Sequence, residues 1–307
     1  MASKAAKPKV LVTGCNGLLG QKVVELIGAH YWTVGVDLQE KPVASVDEYA
    51  ILDISQQEAV LDAAAVILPS AIINTAAVTN VDACERERDL AWRVNVDGVR
   101  YLLEASQKAN SRLIQISSDY VFDGQEGPYS EDAEPHPIGF YGLTKLESER
   151  ILTGSKSSWA VVRTNVLYGW ANDVRLNFAL WIRAQLLAGK YIRAAIDQYS
   201  NPTFADNLAQ SIQALLRGNY NGIYHVAGRD YVSRWAFALK VAQVFELNQE
   251  LIAPVISSQL SQRAQRPRWG GLKTDRTAEK LGLKMLNLQA GLEALKEQIP
   301  PDRMEAH

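Results

Sequence analysis

The chain has 307 residues, of which 47% are hydrophobic and 21% are charged, the composition of an ordinary globular protein. The formal net charge is −2 and the isoelectric point is near 6.1, and no basic stripe suggests a nucleic-acid partner. No uncharged apolar run reaches the ~18 residues of a membrane span. Residues 1–8 lack the apolar core of a signal peptide.

Cysteine and histidine are sparse and scattered. Cys15 and Cys84 show no metal-ligand spacing and no disulfide framework, which indicates a reducing compartment and a cytoplasmic location. No metal site is predicted from the four histidines, because they lie far apart in the sequence.

The first half of the chain alternates strand-like and helix-like patterns. Short apolar, β-branched runs predict strands over residues 10–12, 33–37, 50–53, 71–74, 113–117 and 159–163. Helical spacing of apolar residues predicts helices over 18–29, 56–68, 89–108 and 141–152. This rhythm predicts an α/β fold with a Rossmann-type, doubly wound parallel sheet.

The rhythm weakens in the second half, where we expect a smaller C-terminal substrate-binding domain. We predict a helix over 204–216 and a strand over 222–226, and short helices and loops after them. The NAD-binding Rossmann domain is placed at 8–167, with a return of the chain at 204–227. The smaller domain is placed at 168–203 and 228–300.

A glycine-rich turn joins the first predicted strand to the first helix. Gly14, Gly17 and Gly20 have the spacing G-x-x-G-x-x-G, which suits a tight turn, a close approach of the backbone to a pyrophosphate, and helix–strand packing. The N-terminus of the helix offers free N–H groups to the phosphates. We expect the turn to contact a dinucleotide through these residues: Gly14, Asn16, Gly17, Leu18 and Leu19.

Asp37 ends the second predicted strand, about 20 residues beyond the turn, where a carboxylate accepts hydrogen bonds from an adenosine ribose. The next residues, Leu38 to Glu40, include no arginine to pair with a 2′-phosphate. NAD(H) is therefore the preferred cofactor, and Lys41 leaves NADP(H) as the alternative.

Tyr141 and Lys145 are four residues apart and would share one face of a helix. A nearby cation favours the phenolate, so such a tyrosine can exchange a proton with a carbonyl or alcohol oxygen while a hydride moves. Ser117 and Ser118 end the preceding strand, where parallel sheets place their sites and where a hydroxyl can hold the reacting oxygen.

Together, these motifs resemble the extended short-chain dehydrogenase/reductases. The segment 116–124, ISSDYVFDG, resembles more narrowly the dTDP-4-dehydrorhamnose reductases, as do TNVD at 79–82 and YGLTK at 141–145. The resemblance covers residue 9 to about residue 295. It implies that Ser118 is the catalytic hydroxyl and that Lys145 also holds the nicotinamide ribose.

The resemblance also implies further contacts. Positions that flank the cofactor in this family match Asp53, Ile54, Ala76, Ala77 and Val78. The substrate would meet Thr79, Ser118, Asp119, Tyr120 and Asn165.

Two positions depart from the family pattern. The family commonly reads R-T-x-W after the sixth strand, where this chain has Arg163-Thr164-Asn165-Val166, and Val78 replaces a frequent tyrosine. The missing tryptophan helps to shape the sugar pocket in the family. Tyr120 stands where related dehydratases carry a second carboxylate, which argues against water elimination.

The leading hypothesis is a reductase of a nucleotide-linked keto-deoxysugar, with Tyr141 as the proton donor. Two alternatives stay open: a nucleotide-sugar epimerase of the same fold, and a non-catalytic regulatory subunit that resembles the methionine adenosyltransferase β subunit. The expected partner is a nucleotide sugar or a related small molecule. The sequence leaves the oligomeric state open, with a homodimer as one alternative.

Overall fold

A computed structural model describes residues 7–218 and 220–303; residues 1–6, with most of the N-terminal segment considered above, and His307 lie outside them. The strands are β1 Lys9–Thr13, β2 Trp32–Asp37, β3 Glu48–Ile51, β4 Ala71–Asn74, β5 Arg112–Ser118, β6 Trp159–Thr164, β7 Leu167–Tyr168, β8 Ile192–Ala195, β9 Tyr199–Ser200, β10 Thr203–Phe204, β11 Gly222–His225, β12 Val232–Ser233 and β13 Ile252–Val255. The helices are α1 Leu18–Ile27, α2 Gln57–Ile67, α3 Val81–Arg86, α4 Arg88–Trp92, α5 Gly98–Lys108, α6 Phe140–Thr153, α7 Phe178–Leu187, α8 Ala205–Arg217, α9 Arg234–Val244, α10 Asp275–Leu281 and α11 Leu288–Gln298.

A seven-stranded sheet in the order β11-β6-β5-β4-β1-β2-β3 forms the centre of the molecule. Every neighbouring pair in it is parallel, which confirms the predicted doubly wound sheet. The order reverses between β1 and β4, and ligands bind beyond the carboxyl ends of the strands at such a switch point.

Helices cover both faces of this sheet. Buried side chains of α1 and α8 form a core on one face, and those of α2 and α5 form a core on the other. The inner strands, from β6 to β2 in the sheet order, are buried on both faces, so they read as mostly apolar runs with little alternation.

Residues beyond β6 build a second core, in which α7, α9 and α11 pack around β8. Between these elements the chain returns to the sheet, because α8 packs on α1 and β11 pairs with β6. In the described part of the chain, no helix is long and apolar enough to cross a membrane.

The strand predicted at 50–53 was misplaced, since β3 runs from Glu48 to Ile51. Its pairing with β2 decides the register, with Val34 opposite Glu48 and Asp37 opposite Ile51. β3 is a sheet edge with exposed side chains, so apolar residues did not mark its bounds.

The helix predicted over 89–108 is interrupted. Five residues, Arg93–Asp97, form a π-helical turn between α4 and α5. The buried side chain of Asn95 at this turn accepts a hydrogen bond from Val78 N and donates to Val78 O and Thr144 Oγ1. Such turns are frequent at functional sites, and here the cause is a set of long-range contacts that helical periodicity does not reveal.

Candidate active site

The glycines of the β1–α1 turn let the turn pack closely on the protein's own backbone. Gly14 has φ +65°, and a Cβ there would lie 2.8 Å from the backbone of Ala76. A Cβ on Gly20 would lie 2.3 Å from the Gly14 carbonyl oxygen. Gly17 is exposed and is the N-cap residue of α1, where no side-chain hydrogen bond caps the helix. The free N–H groups at this helix N-terminus therefore suit a pyrophosphate.

The other predicted residues of the turn face the protein interior. Leu19 is buried in the core, and Leu18 is half-buried, so a dinucleotide would meet their backbone N–H groups. Cys15 is fully buried, and burial raises the pKa of its thiol to about 12, so this cysteine fills space in the turn.

Asp37 lies beside the turn, as predicted from its position at the end of β2. Its carboxylate accepts hydrogen bonds from the backbone N–H groups of Asn16 at 3.1 Å and Leu38 at 2.8 Å. The Asn16 side chain is buried beneath the loop at 39–44 and bonds to that loop. Asn16 therefore supports the groove from behind.

The remaining predicted cofactor residues border the same edge of the sheet. Ala76, Ala77 and Val78 follow β4 and are half-buried, and Asn95 holds Val78 on both its N–H and its carbonyl. Asp53 follows β3, and its carboxylate accepts a hydrogen bond from Ser55 N.

Of two further residues predicted to contact cofactor or substrate, one is buried and one is exposed. Ile54 is buried against Gly98, so its side chain belongs to the wall behind this edge of the sheet. Thr79 is exposed in the loop before α3.

Helix α6 presents Tyr141 and Lys145 to the end of β5. The Lys145 Nζ donates a hydrogen bond to the Ile116 carbonyl at 3.1 Å and lies 5.9 Å from the centre of the Tyr141 ring. Both residues are buried at 9% and 3% exposure. The structure thus brings together the two residues that the spacing placed on one helical face.

Burial controls the protonation of this pair. It raises the pKa of Tyr141, an effect that a hydrogen bond with Ser118 partly opposes. It lowers the pKa of Lys145 to about 8, while the negative charge of Glu149 opposes the shift. Tyr141 is therefore a neutral phenol that lies beside the Lys145 ammonium.

Ser118 and Asp119 form a polar wall next to this pair. The Asp119 carboxylate accepts hydrogen bonds from Asn165 Nδ2 at 3.1 Å, Gly271 N at 3.0 Å and Ser118 Oγ at 3.3 Å. Burial raises the pKa of Asp119, and these hydrogen bonds oppose the rise. Asp119 therefore ties β5 to the segment after β6 and to the chain near residue 271.

A buried ion pair lies behind α6 and was not predicted. Arg163 donates to both carboxylate oxygens of Glu149 at 2.9 and 2.6 Å, and the Ser117 hydroxyl donates to the same carboxylate. Glu149 is one helical turn beyond Lys145, so the spacing Tyr141-x-x-x-Lys145-x-x-x-Glu149 was an available signal. The pair anchors α6 to β5 and β6.

The part of the chain beyond β6 lines a cleft of about 440 Å³ that adjoins Tyr120. Arg193, Arg234 and Arg266 line it together with the stacked rings of Phe178 and Trp181, whose centres are 5.8 Å apart. The ring of Tyr120 packs edge-on against Tyr141, with 5.6 Å between their centres. The ring of Tyr120 therefore separates the cleft from Tyr141 and contacts both.

One of these arginines is already paired inside the protein. Arg266 makes hydrogen bonds to both carboxylate oxygens of Asp82 at 2.7 and 2.8 Å. These bonds lower the pKa of Asp82 to about 2, although burial acts to raise it. This pair fastens the segment at 263–273, called the strap below, to the start of α3.

Sequence analysis did not find the three arginines, because β8, α9 and the strap are far apart in the chain and meet only in the folded protein. Among residues 7–218 and 220–303, no group of three or more His, Cys, Asp and Glu side chains is arranged to hold a metal ion.

A Rossmann sheet with a glycine-rich turn, and a buried Tyr-Lys pair beside a serine, define an oxidoreductase of the extended short-chain dehydrogenase/reductase class. The chain belongs to the family described as the RmlD substrate binding domain, whose model matches residues 8–299. This family membership confirms the resemblance drawn from the sequence motifs.

Individual relatives are similar over almost their whole length. The chain is 31% identical to the probable low-salt glycan biosynthesis reductase Agl14 of Haloferax volcanii, over 93% of this chain and 96% of that protein. It is 30% identical to the methionine adenosyltransferase 2 subunit beta of Bos taurus, over 90% and 83%. The structure of dTDP-4-dehydrorhamnose reductase from Bacillus anthracis in complex with NADP superimposes with a TM-score of 0.86 at 29% identity, covering 95% of this chain and all of that one.

Proposed function

We propose that the chain reduces a keto group on a nucleotide-linked deoxysugar, with NAD(H) as the preferred cofactor and Tyr141 as the proton donor. The observation that carries the proposal is the position of a cleft lined by three arginines next to Tyr120, whose ring packs on Tyr141 of the Tyr141–Lys145 pair. Relatives with the same fold are named as dTDP-4-dehydrorhamnose reductases, and one is in complex with NADP.

The groove at the switch point fits a dinucleotide. A pyrophosphate would bind at the N-terminus of α1, where Gly17 is exposed, and Asp37 lies where the adenosine ribose would bind. When bound, a reduced nicotinamide supplies a hydride to the carbonyl carbon. Asp37 supports the preference for NAD(H), because a carboxylate repels a 2′-phosphate.

The residues of the chain supply the proton and orient the substrate. The Ser118 hydroxyl would donate a hydrogen bond to the carbonyl oxygen, and the Tyr141 phenol would transfer its proton to that oxygen as charge develops on it. Lys145 stabilises the resulting phenolate through its positive charge. The buried position of all three residues excludes water from the transfer.

The cleft fits the nucleotide part of such a substrate. Arg193 and Arg234 can hold a diphosphate, since guanidinium groups form strong, bidentate hydrogen bonds with phosphate oxygens. The stacked rings of Phe178 and Trp181 offer a flat apolar surface to a nucleobase.

The test is a panel of nucleotide-linked 4-keto-6-deoxysugars, each incubated with NADH or NADPH while the cofactor absorbance is recorded. We expect cofactor consumption with at least one sugar, and a higher KM with an unchanged kcat for Arg234→Ala. Isomerised sugar without cofactor consumption would favour an epimerase. Complete lack of turnover across the panel would contradict the proposal and favour a regulatory subunit.

A further inference from the structure

The Asn16 side chain is the centre of a buried hydrogen-bond network. It is 2% exposed, and its Nδ2 lies within hydrogen-bond distance of Gln39 Oε1 at 3.0 Å, Lys41 O at 3.1 Å and Tyr49 Oη at 3.3 Å. Its Oδ1 accepts hydrogen bonds from Val43 N at 2.8 Å and Ala44 N at 3.2 Å. All these partners belong to the segment from β2 to β3.

The same residue also fixes Asp37. The Asn16 backbone N–H donates to Asp37 Oδ2 at 3.1 Å, while Leu38 N holds Oδ1 at 2.8 Å. The Tyr49 hydroxyl donates to Gln39 O at 2.6 Å, which closes the network on the far side of the loop. One buried amide thus joins the phosphate turn to the segment at 37–44, here called the ribose loop.

We propose that Asn16 is a positioning residue that determines cofactor selectivity: it holds the ribose loop closed beside Asp37, so that a ribose 2′-hydroxyl fits and a 2′-phosphate does not. This inference rests on the proposed function, because it presupposes that the groove binds a nicotinamide dinucleotide.

The physical reason lies in what a 2′-phosphate requires. It needs space beside the ribose and a cation to balance its charge, and Lys41 is the cation within the ribose loop. Asn16 bonds to the Lys41 carbonyl and to Val43 N, and the Tyr49 hydroxyl, which also bonds to Asn16, holds Gln39 O, so the backbone on either side of this lysine cannot move outward to form a phosphate pocket. Loss of these hydrogen bonds frees the loop to rearrange around the phosphate.

The test compares Asn16→Ala with Asn207→Ala. Asn207 is a matched control, because it is also buried, at 5% exposure, and holds a loop at 284–286 through Leu286 N and Lys284 O, away from the dinucleotide groove. NADH, NADPH and nicotinamide mononucleotide are titrated by calorimetry into each protein, after circular dichroism has shown that it is folded.

We expect the wild type to bind NADH more tightly than NADPH. Asn16→Ala should shift the ratio of the two dissociation constants toward NADPH by about tenfold or more, which corresponds to about 1.4 kcal/mol. Its affinity for nicotinamide mononucleotide and the ratio for Asn207→Ala should stay at wild-type values.

An unchanged ratio in a folded Asn16→Ala protein, or an equal shift in Asn207→Ala, would overturn the inference and leave the proposed function intact. A wild type that binds neither dinucleotide would instead overturn the proposed function. If Asn16→Ala does not fold, Gln39→Ala combined with Tyr49→Phe removes two of the side-chain partners. The ratio must then shift in the same direction, and an unchanged ratio overturns the inference.

Discussion

Tyr141 has its phenol next to Ser118 and its ring within 5.9 Å of the Lys145 ammonium. Replacing it with phenylalanine keeps the ring and its edge-on contact with Tyr120 but removes the proton. We expect Tyr141→Phe to lower kcat by about 10²–10⁴-fold, the usual contribution of general acid catalysis, with an unchanged dissociation constant for NADH. Steady-state kinetics and calorimetry measure the two quantities, and retention of most of the turnover would refute the assignment.

Lys145 carries its charge where burial disfavours it, so this residue reduces the stability of the fold. Its pKa is lowered to about 8 in the folded protein, from 10.5 in the absence of burial. The unfolded chain binds more protons than the folded one between these values, so the stability term from Lys145 rises with pH through that window. Below about pH 8 the full destabilisation from burying the charged Lys145 side chain is present.

We therefore expect Lys145→Met to raise the free energy of unfolding at pH 7 by on the order of 1–3 kcal/mol while abolishing turnover. The gain should shrink between pH 8 and pH 10.5. Urea unfolding at pH 7, 9 and 10.5 measures it. A variant less stable than the wild type at pH 7 would show that the hydrogen bond to the Ile116 carbonyl outweighs the cost of burying the charge.

Helix α6 is the element that carries both Tyr141 and Lys145, and its distance from the turn after β5 depends on Gly142. A Cβ on Gly142 would lie 2.0 Å from the Tyr120 carbonyl oxygen, closer than any real contact. The helix must therefore shift away from the strand end if this residue gains a side chain.

We expect Gly142→Ala to lower kcat by about tenfold or more, because a displacement of about 1 Å between catalytic groups has effects of this size or larger. Thr153→Ala, on the exposed end of the same helix, serves as the control for helix composition and should keep wild-type kinetics. Equal kcat values for Gly142→Ala and the wild type would mean that β5 moves together with the helix.

The segment from α4 to α5 shows where the sequence-based prediction of a helix was wrong. Periodicity predicted a continuous helix over 89–108, but the π-helical turn at Arg93–Asp97 places Asn95 between the loop after β4 and Thr144 on α6. Helical spacing reports only which face is apolar. It does not report a polar side chain whose partners are 17 and 49 residues away.

The strap, residues 263–273, connects the two parts of the molecule over the site. Asp82 pairs with Arg266 at one end, and Asp119 accepts from Gly271 N near the other. The folded pKa of Asp82 is lowered to about 2, so the stabilisation is present above the ordinary carboxyl pKa and is lost as the pH falls toward 2.

We expect Asp82→Asn to raise the KM for the nucleotide sugar several-fold and to lower the free energy of unfolding at pH 7 by about 1 kcal/mol, the range for a partly exposed ion pair. The difference in the free energy of unfolding between the wild type and Asp82→Asn should disappear as the pH falls toward 2. Lys108→Ala removes an exposed ion pair with Glu104 on α5, outside the strap and the cleft, and is the control for general charge effects. An equal rise in KM for both variants would contradict a role of the strap in substrate binding.

At the scale of the whole molecule, local pattern determined the order of strands and helices in the first half, the glycine turn, Asp37 at the end of β2, and the pair Tyr141 and Lys145 on one helical face. These features depend on near neighbours, so spacing and residue type are sufficient to predict them. A hydroxyl at Ser117 or Ser118 was predicted in the same way, because both end a strand of a parallel sheet, and the family resemblance singled out Ser118.

The tertiary structure alone decided the surroundings of these residues. It buried Asn16 beneath the ribose loop, paired Glu149 with Arg163 behind α6, and brought Arg193, Arg234 and Arg266 from separate elements to one cleft. Such contacts join residues that are distant in the chain, and their energy depends on burial and mutual geometry that no local spacing encodes. The chain's sequence therefore determined which residues form the Tyr141–Lys145 pair, and its three-dimensional packing determined what surrounds that pair.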